Sequence, residues 1–333
     1  MTDILRNNWF VVLIAIIIIG FIGYFIYDTN KDNVSAKTTN NEQVIASINK
    51  DDITADDLYD ESTPYDGSTI YNMYKNAVID QSIKTTKDLK KQASTLESNI
   101  KSNASSQSDD YESTLTTELA KYGYASYEEL NDYCLTSVKE KEMNKKYITK
   151  HFDEVKKAWE DKSPRTVSII KMDVSDADNL TETETKKKSN IDKALEKESF
   201  ADVAKAFSED SNTANKNGFA GYVDSNSTSS GSNSTSTVPA DVVTAAIGLK
   251  KGETSDWITV TSSSGTSLYK VYVKETNSKK IFNAKSDTVS NQALYAILNS
   301  DSSLSYKILD SYAKKLDIKF NDKDTKKKFD SYV

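Results

Sequence analysis

Histidine, cysteine and proline are nearly absent from this chain: one, one and three of them among 333 residues, alongside only ten glycines. Each scarcity excludes something. A single cysteine rules out an intramolecular disulfide. Without paired cysteines or a histidine cluster there is no ligand set for zinc. The only histidine, His151, stands near no candidate nucleophile, so a Ser-His-Asp arrangement has no base. The glycines form no phosphate-cradling run, and no cofactor is expected. Basic residues number 43 against 50 acidic ones and form no block, which removes nucleic acid from the candidate partners. Few breakers among many Lys, Glu and Asp favour long helices over an all-β chain. Cys134 falls on the stripe Leu130, Cys134, Val138 and reads as a small buried apolar residue, not a reactive thiol. His151 could serve as a pH sensor or ligand, but a solitary histidine on a helix surface reads as inert.

Long apolar runs are also scarce, with one exception. Trp9 to Tyr27 is an uncharged stretch of 19 residues with Trp9, Tyr24 and Tyr27 at its ends. At 1.5 Å per residue such a helix spans a hydrocarbon core about 30 Å thick, and amphipathic rings prefer the interface. The run exceeds a signal-peptide core, and the nearest small-x-small site, Val34-Ser35-Ala36, lies well past it. It therefore reads as a permanent anchor in a lipid bilayer. Arg6 and the amino terminus precede the run while Asp28, Lys31 and Asp32 follow it, so residues 1–8 are expected in the cytoplasm and the bulk of the chain outside. A lipid-modified cysteine after the run is excluded, because Cys134 is the only cysteine.

Residues 28–43 are polar and linker-like. Val44–Ile48 reads as a short strand, Asn49-Lys50 as a turn, and Thr54 to Asp57 as a helix start with a capping box. Helical stripes follow at Ile70, Tyr74, Ala77, Val78 and at Leu89, Ala93, Leu96, Ile100. A polar break at 102–110 precedes a helix bearing Leu115 and Leu119. A second capping box at Ser126–Glu129 opens a helix expected to run to about Trp159, so 44–162 forms a helical region. At Ser163-Pro164 the pattern changes. Thr166–Val174 is a strand, a charged helix follows near 182–197, and Ser199 caps a helix with Phe200, Val203, Ala204 and Phe207 on one face. A turn at Asn217-Gly218 leads to a strand at Tyr222-Val223, and 224–237 is a low-complexity flexible loop. Pro239 suits the first turn of a helix carrying Val242, Val243, Ala246 and Ile247, and strands at 257–260 and 268–273 close a compact α+β domain over 163–276. Residues 277–333 return to helix, with Leu304, Ile308, Tyr312 and Leu316 needing a partner surface and Ile318 and Phe320 reading as a short strand or helix tail.

The runs SFADVAKAFSEDSNTANKNGFAGYV and AAIGLKKGETSDWITVTSSSGTSLYKVYV resemble the parvulin-type (PpiC-like) peptidyl-prolyl isomerase, or rotamase, domain. Phe200, Ala204, Phe207, Ser208, Asp210, Gly218, Gly221, Ala246, Leu249, Gly252, Glu253, Ser255 and Gly265 agree with its pattern. The flanks, Val44 to Tyr59 and Tyr122 to Leu130, resemble those of PrsA- and SurA-type extracytoplasmic foldases, with a membrane helix in place of the PrsA lipid anchor. The resemblance implies an α+β fold in which a helical, chaperone-like region, built from N- and C-terminal segments, carries an inserted parvulin-like domain.

The resemblance also implies where chemistry would sit. Rotating an X-Pro bond means lowering a barrier of about 18–20 kcal/mol. The family does so with an apolar proline slot and a polar core of two histidines and an acid or cysteine. By position those fall at Ser168, Ser267 and Asp210, and the slot at Val238, Val242 and Ala220. Both histidines are thus replaced, and weak or absent isomerase activity is expected. The function implied is a membrane-anchored folding factor whose partners are unfolded or partly folded secreted polypeptides. The alternatives are an active prolyl isomerase with a modified core, and a non-catalytic surface interaction or adhesion protein.

Overall fold

The computed structural model describes residues 37–39, 42–48, 51–54, 66–228 and 238–332. The apolar run at 9–27, the expected turn at 49–50 and most of the expected helix start at 54–57 lie outside the described residues. No helix among the described residues is long and apolar enough to cross a membrane. The chain divides into two units, residues 1–66 and 67–333.

In the first unit, β1 (Lys37–Thr39), β2 (Glu42–Ile48) and β3 (Asp51–Thr54) form an antiparallel sheet in that order. The stretch expected as linker thus contributes a strand: the β-branched Thr38 and Thr39 pair with Gln43 and Glu42. Thr54, expected to open a helix, closes β3 opposite Val44.

The second unit begins with α1 (Gly67–Ser82), α2 (Lys87–Ser105), α3 (Tyr111–Ala120), α4 (Leu130–Lys150) and α5 (Phe152–Glu160). Their apolar stripes meet one another and those of α9 (Ser278–Phe282), α10 (Asp287–Ser300) and α11 (Leu304–Ala313) in a single core. Ile79, Leu130, Ile148 and Trp159 from the N-terminal half pack there with Phe282, Leu294, Ile297 and Ile308 from the C-terminal half. Cys134 is fully buried in this core, and burial pushes its thiol up to about 11, which removes it from thiolate chemistry near neutrality. The Ser126–Glu129 capping box forms, both halves of it hydrogen-bonded, at the turn before α4. The long helix expected to reach Trp159 is instead broken at His151, which caps α4 and starts α5. There its ring stacks on Tyr147 with centroids 4.5 Å apart and Nδ1 lies 3.1 Å from Glu154. No strand forms at 318–320. Phe320 packs against Tyr74 and Phe329, and a further helix, α12 (Lys323–Tyr332), follows.

Between these halves lies the mixed domain: β4 (Arg165–Val174), α6 (Glu182–Leu195), α7 (Phe200–Phe207), β5 (Phe219–Val223), α8 (Ala240–Gly248), β6 (Ile258–Ser262) and β7 (Gly265–Glu275). Its antiparallel sheet has the order β5-β4-β7-β6, and both faces are covered. On one face Ile170, Met172 and Leu268 meet α6 and α7 through Ile191, Phe200 and Val203. On the other, Val167, Ile169, Val271 and Val273 meet α8 through Val242, Val243 and Ala246. Ser199 and Thr181 cap α7 and α6 with side-chain bonds to the third amide. Gly218 adopts φ +74°, and a Cβ there would come within 2.8 Å of the Ile169 carbonyl and 2.6 Å of the Ala204 methyl, so only glycine fits the approach.

The chain crosses between frame and domain twice, side by side. The Ser278 hydroxyl donates to Glu160 Oε1 across the two crossings. Arg165 donates to the carbonyls of Ser163, Ala246 and Leu249, and also to that of Ile247, tying the first crossing to the C-terminal end of α8. Beside it, the Trp159 indole N–H donates to the Tyr222 hydroxyl (2.8 Å), which donates to buried Asp224 (2.7 Å).

Candidate functional site

Strand alternation decides which polar side chains can meet. Along β4, Val167, Ile169, Lys171 and Asp173 face α8, whereas Ser168 alternates onto the face of Ile170 and Met172. Along β7, Ser267, Tyr269, Val271 and Val273 face α8. Ser168 pairs with Tyr272, while Ser267 pairs with Asp173, five residues further along β4. The two serines are therefore about 16 Å apart along the ladder, at roughly 3.3 Å per residue, and on opposite faces. The structure does not bring Ser168, Asp210 and Ser267 into one cluster. A one-residue offset in placing a motif on a strand moves its side chain through the sheet, and that offset separates Ser168 from the slot side.

Val238 and Val242 do share the α8-side core, with Ala220 packed against it. Both valines are buried within the domain. They pack against Ile169 and Val271 as part of the domain core and do not themselves line an open slot, and a polar edge adjoins that core. The Ser267 hydroxyl donates to Asp173 Oδ1 (2.7 Å), and Lys171 Nζ lies 2.9 Å from the same oxygen. Burial alone would push Asp173 up, but the Lys171 and Ser267 hydrogen bonds outweigh it and hold the carboxyl below its usual range. The same hydrogen bond raises Lys171, and burial raises the Tyr269 phenol, which also feels the charges of Lys171, Asp210 and Asp173.

Asp210 reaches this edge through the loop after α7. Beyond Ser168, β5 no longer pairs with β4, so the backbone of β4 is open there and the loop takes its place. Glu209 N–H donates to the Lys171 carbonyl (2.9 Å), Lys171 N–H to Ser208 Oγ (3.1 Å), and Asp173 N–H to Glu209 Oε2 (2.7 Å). Asp210 then accepts from Thr213 Oγ1 at 2.7 Å and from Asn212 N–H, with its charge acting on Lys171 and Tyr269.

The arrangement offers hydrogen-bond donors, the Tyr269 hydroxyl and the Lys171 ammonium, at the edge of the α8-side core. The domain contains no imidazole, since His151 belongs to the frame. Among the described residues no three His, Cys, Asp or Glu side chains are grouped so as to hold a metal ion. Lys171, Asp173 and Tyr269 were missed in the sequence. The signal for them was the alternation of β4 and β7 against the valines of α8.

Residues 169–272 match the family described as "Rotamase: PPIC-type PPIASE domain", and the chain carries such a domain there. No curated protein matches the chain. Among solved structures it is similar to the foldase protein PrsA of Streptococcus pneumoniae, at 22% identity over 87% of this chain and 99% of that one, with a TM-score of 0.39. PrsA of Bacillus subtilis is likewise 22% identical, over 86% and 98% of the two chains, with a TM-score of 0.42. A Campylobacter jejuni structure, from a pair described as the SurA-like chaperones PEB4 and Cj1289, is 15% identical over 84% and 100%, with a TM-score of 0.24.

Proposed function

We propose that this PPIC-type domain serves a membrane-anchored, extracytoplasmic folding factor, whose helical frame shelters unfolded or partly folded secreted polypeptides. The domain would hold proline-bearing segments and rotate them weakly at most. The observation that carries this reading is a PPIC-type match over 169–272 in a domain that contains no histidine. The foldase role rests on the resemblance of the flanks, and the anchor on the 19 apolar residues Trp9 to Tyr27. Of the polar positions the resemblance indicates, Ser267 alternates onto the α8 side with Tyr269 and Lys171, and the charge of Asp210 acts on these two from the loop after α7; these groups would hydrogen-bond a bound peptide. Ser168 takes no part on that face.

Two assays test the reading. The full chain in detergent should suppress aggregation of a reduced, unfolded client near stoichiometric ratio; no suppression refutes the folding role. A protease-coupled assay on a proline tetrapeptide should show weak turnover that Asp210→Ala and Tyr269→Phe barely alter. Robust turnover abolished by either substitution would establish an active isomerase, and its loss on Tyr269→Phe would put a phenol in place of imidazole.

A further inference from the structure

The last helix of the chain is held differently from every other helix of the frame. None of the ten residues of α12 is buried. Its polar face carries the Lys326–Asp330 ion pair at 2.5 Å, and Asp322 caps its first turn by accepting from Thr325 N–H. What holds it is aromatic. Phe329 lies 4.8 Å, centroid to centroid, from Tyr74 and 6.3 Å from Tyr71, Tyr332 lies 5.5 Å from Tyr71, and Phe320 stands 5.0 Å from Phe329. The contact is close enough to require a glycine. A Cβ on Gly67, at the start of α1, would come within 2.8 Å of the Lys328 carbonyl and 2.9 Å of Tyr332 Cβ.

A ten-residue helix of composition KDTKKKFDSY is not stable alone in water. Its folding and its docking on α1 are therefore one event, and undocking leaves Tyr71, Tyr74 and Phe320 uncovered beside Tyr306, which is already 48% exposed. We infer that α12 is a displaceable strap, a built-in copy of the ligand that this aromatic face of α1 binds in trans: an amphipathic segment of a non-native polypeptide presenting two aromatic side chains three residues apart, as Phe329 and Tyr332 do. The occupant's chemistry is read from the segment seated there. That the external occupant is a non-native chain rests on the folding-factor reading.

The test compares the full chain with one ending at Phe320, using a fluorescein-labelled peptide of residues 321–333 as probe. Because no residue of α12 is buried, the shortened chain keeps its core. A tethered ligand competes at an effective concentration of about a millimolar, so removing it should tighten peptide binding at least about tenfold. Phe329→Ala in the full chain, which weakens the strap but leaves the face of α1 intact, should recover part of that gain, and a probe with alanine at both aromatic positions should bind neither protein. Equal binding to full and shortened chains would overturn the inference, as would undiminished binding of the alanine probe. So would a dimer, seen by sedimentation, that dissociates when α12 is removed, since the strap would then belong to a second copy. In a parallel arm the shortened chain should suppress aggregation of a reduced client at severalfold lower ratio. Equal suppression by both forms would move client binding elsewhere while leaving the folding role intact. No suppression by either, with peptide binding still tightened, would remove the folding role and with it the partner assigned to this face.

Discussion

Tyr222→Phe removes one oxygen from the seam between frame and domain, and its effect can be worked out from the network around it. The Tyr222 hydroxyl accepts from the fully buried Trp159 indole and donates to Asp224, whose other carboxylate oxygen takes the amides of Asn226 and Ser227. Deletion leaves the indole N–H buried without an acceptor, which costs about 1–3 kcal/mol, and removes a bond to a charged group worth about 1.5–3 kcal/mol. Asp224 retains its other donors, so the lower half of the sum applies: about 3 kcal/mol, against total stabilities of roughly 5–15 kcal/mol. Equilibrium urea unfolding followed by circular dichroism should show the free energy of unfolding fall by that amount, read from the lowered midpoint at unchanged slope. Combining it with Trp159→Phe should cost less than the sum of the two, because the second change removes the orphaned donor. A Tyr222→Phe chain within about 0.5 kcal/mol of the parent would refute the premise that this network is dry and paired.

Burial, followed by the charge of Asp224, raises the Tyr222 phenol far above its usual value, so it favours the folded state below pH about 10 and that contribution is lost at higher pH. Spectrophotometric titration should find one of the 19 tyrosines silent until the chain unfolds. At the acid end, Glu184, held down to about 2 by the Ser175 and Thr181 amides, and Asp173, held low as described, stabilise the fold above pH about 4.5. Their contribution is lost as pH falls toward 2, which acid unfolding of Glu184→Gln should show as a weaker pH slope. Lys139 is buried in the frame and paired with the largely solvent-exposed Asp80. Asp80→Asn should cost about 1–2 kcal/mol, less than for a fully buried pair, whereas Lys139→Met should be neutral or stabilising. Gly218→Ala should cost about 2–4 kcal/mol because strain and overlap add. Gly221→Ala, also at positive φ but with nothing nearer than 4.0 Å, should cost about 1 kcal/mol by thermal unfolding; equal costs would show that backbone strain alone matters.

Much of the fold was legible because caps and stripes are local. The Ser126–Glu129 box, the Ser199 cap and the Phe200–Phe207 face needed no tertiary knowledge. The strand β4 was legible in extent but not in orientation. Its sequence RTVSIIKMDV is apolar on both faces, since helices cover both sides of the sheet, so alternation gives no unique inside. A register shift where β4 meets β5, between Val167 and Ser168, compounds this. Lys171 and Tyr269 consequently could not be assigned to the slot side without the positions of Val238 and Val242. The break at His151 carries no proline or glycine to announce it. Helix α12 falls within the stretch 277–333 read as helical, but its four lysines and two aspartates leave too few apolar residues for a stripe to mark its bounds or its packing face.

The frame's core joins residues on either side of an insertion: helices up to Glu160 wait for partners that begin at Ser278. A ribosome adding roughly 5–20 residues per second needs about 6–23 s to make the intervening stretch. During that interval Ile79, Leu130 and Trp159 lack the C-terminal half of their core, Phe282, Leu294, Ile297 and Ile308, while the sheet domain, contiguous in sequence, can close first. A nascent chain of this protein is therefore itself a half-finished substrate for some time, and its two bodies acquire protease resistance in the order domain, then frame.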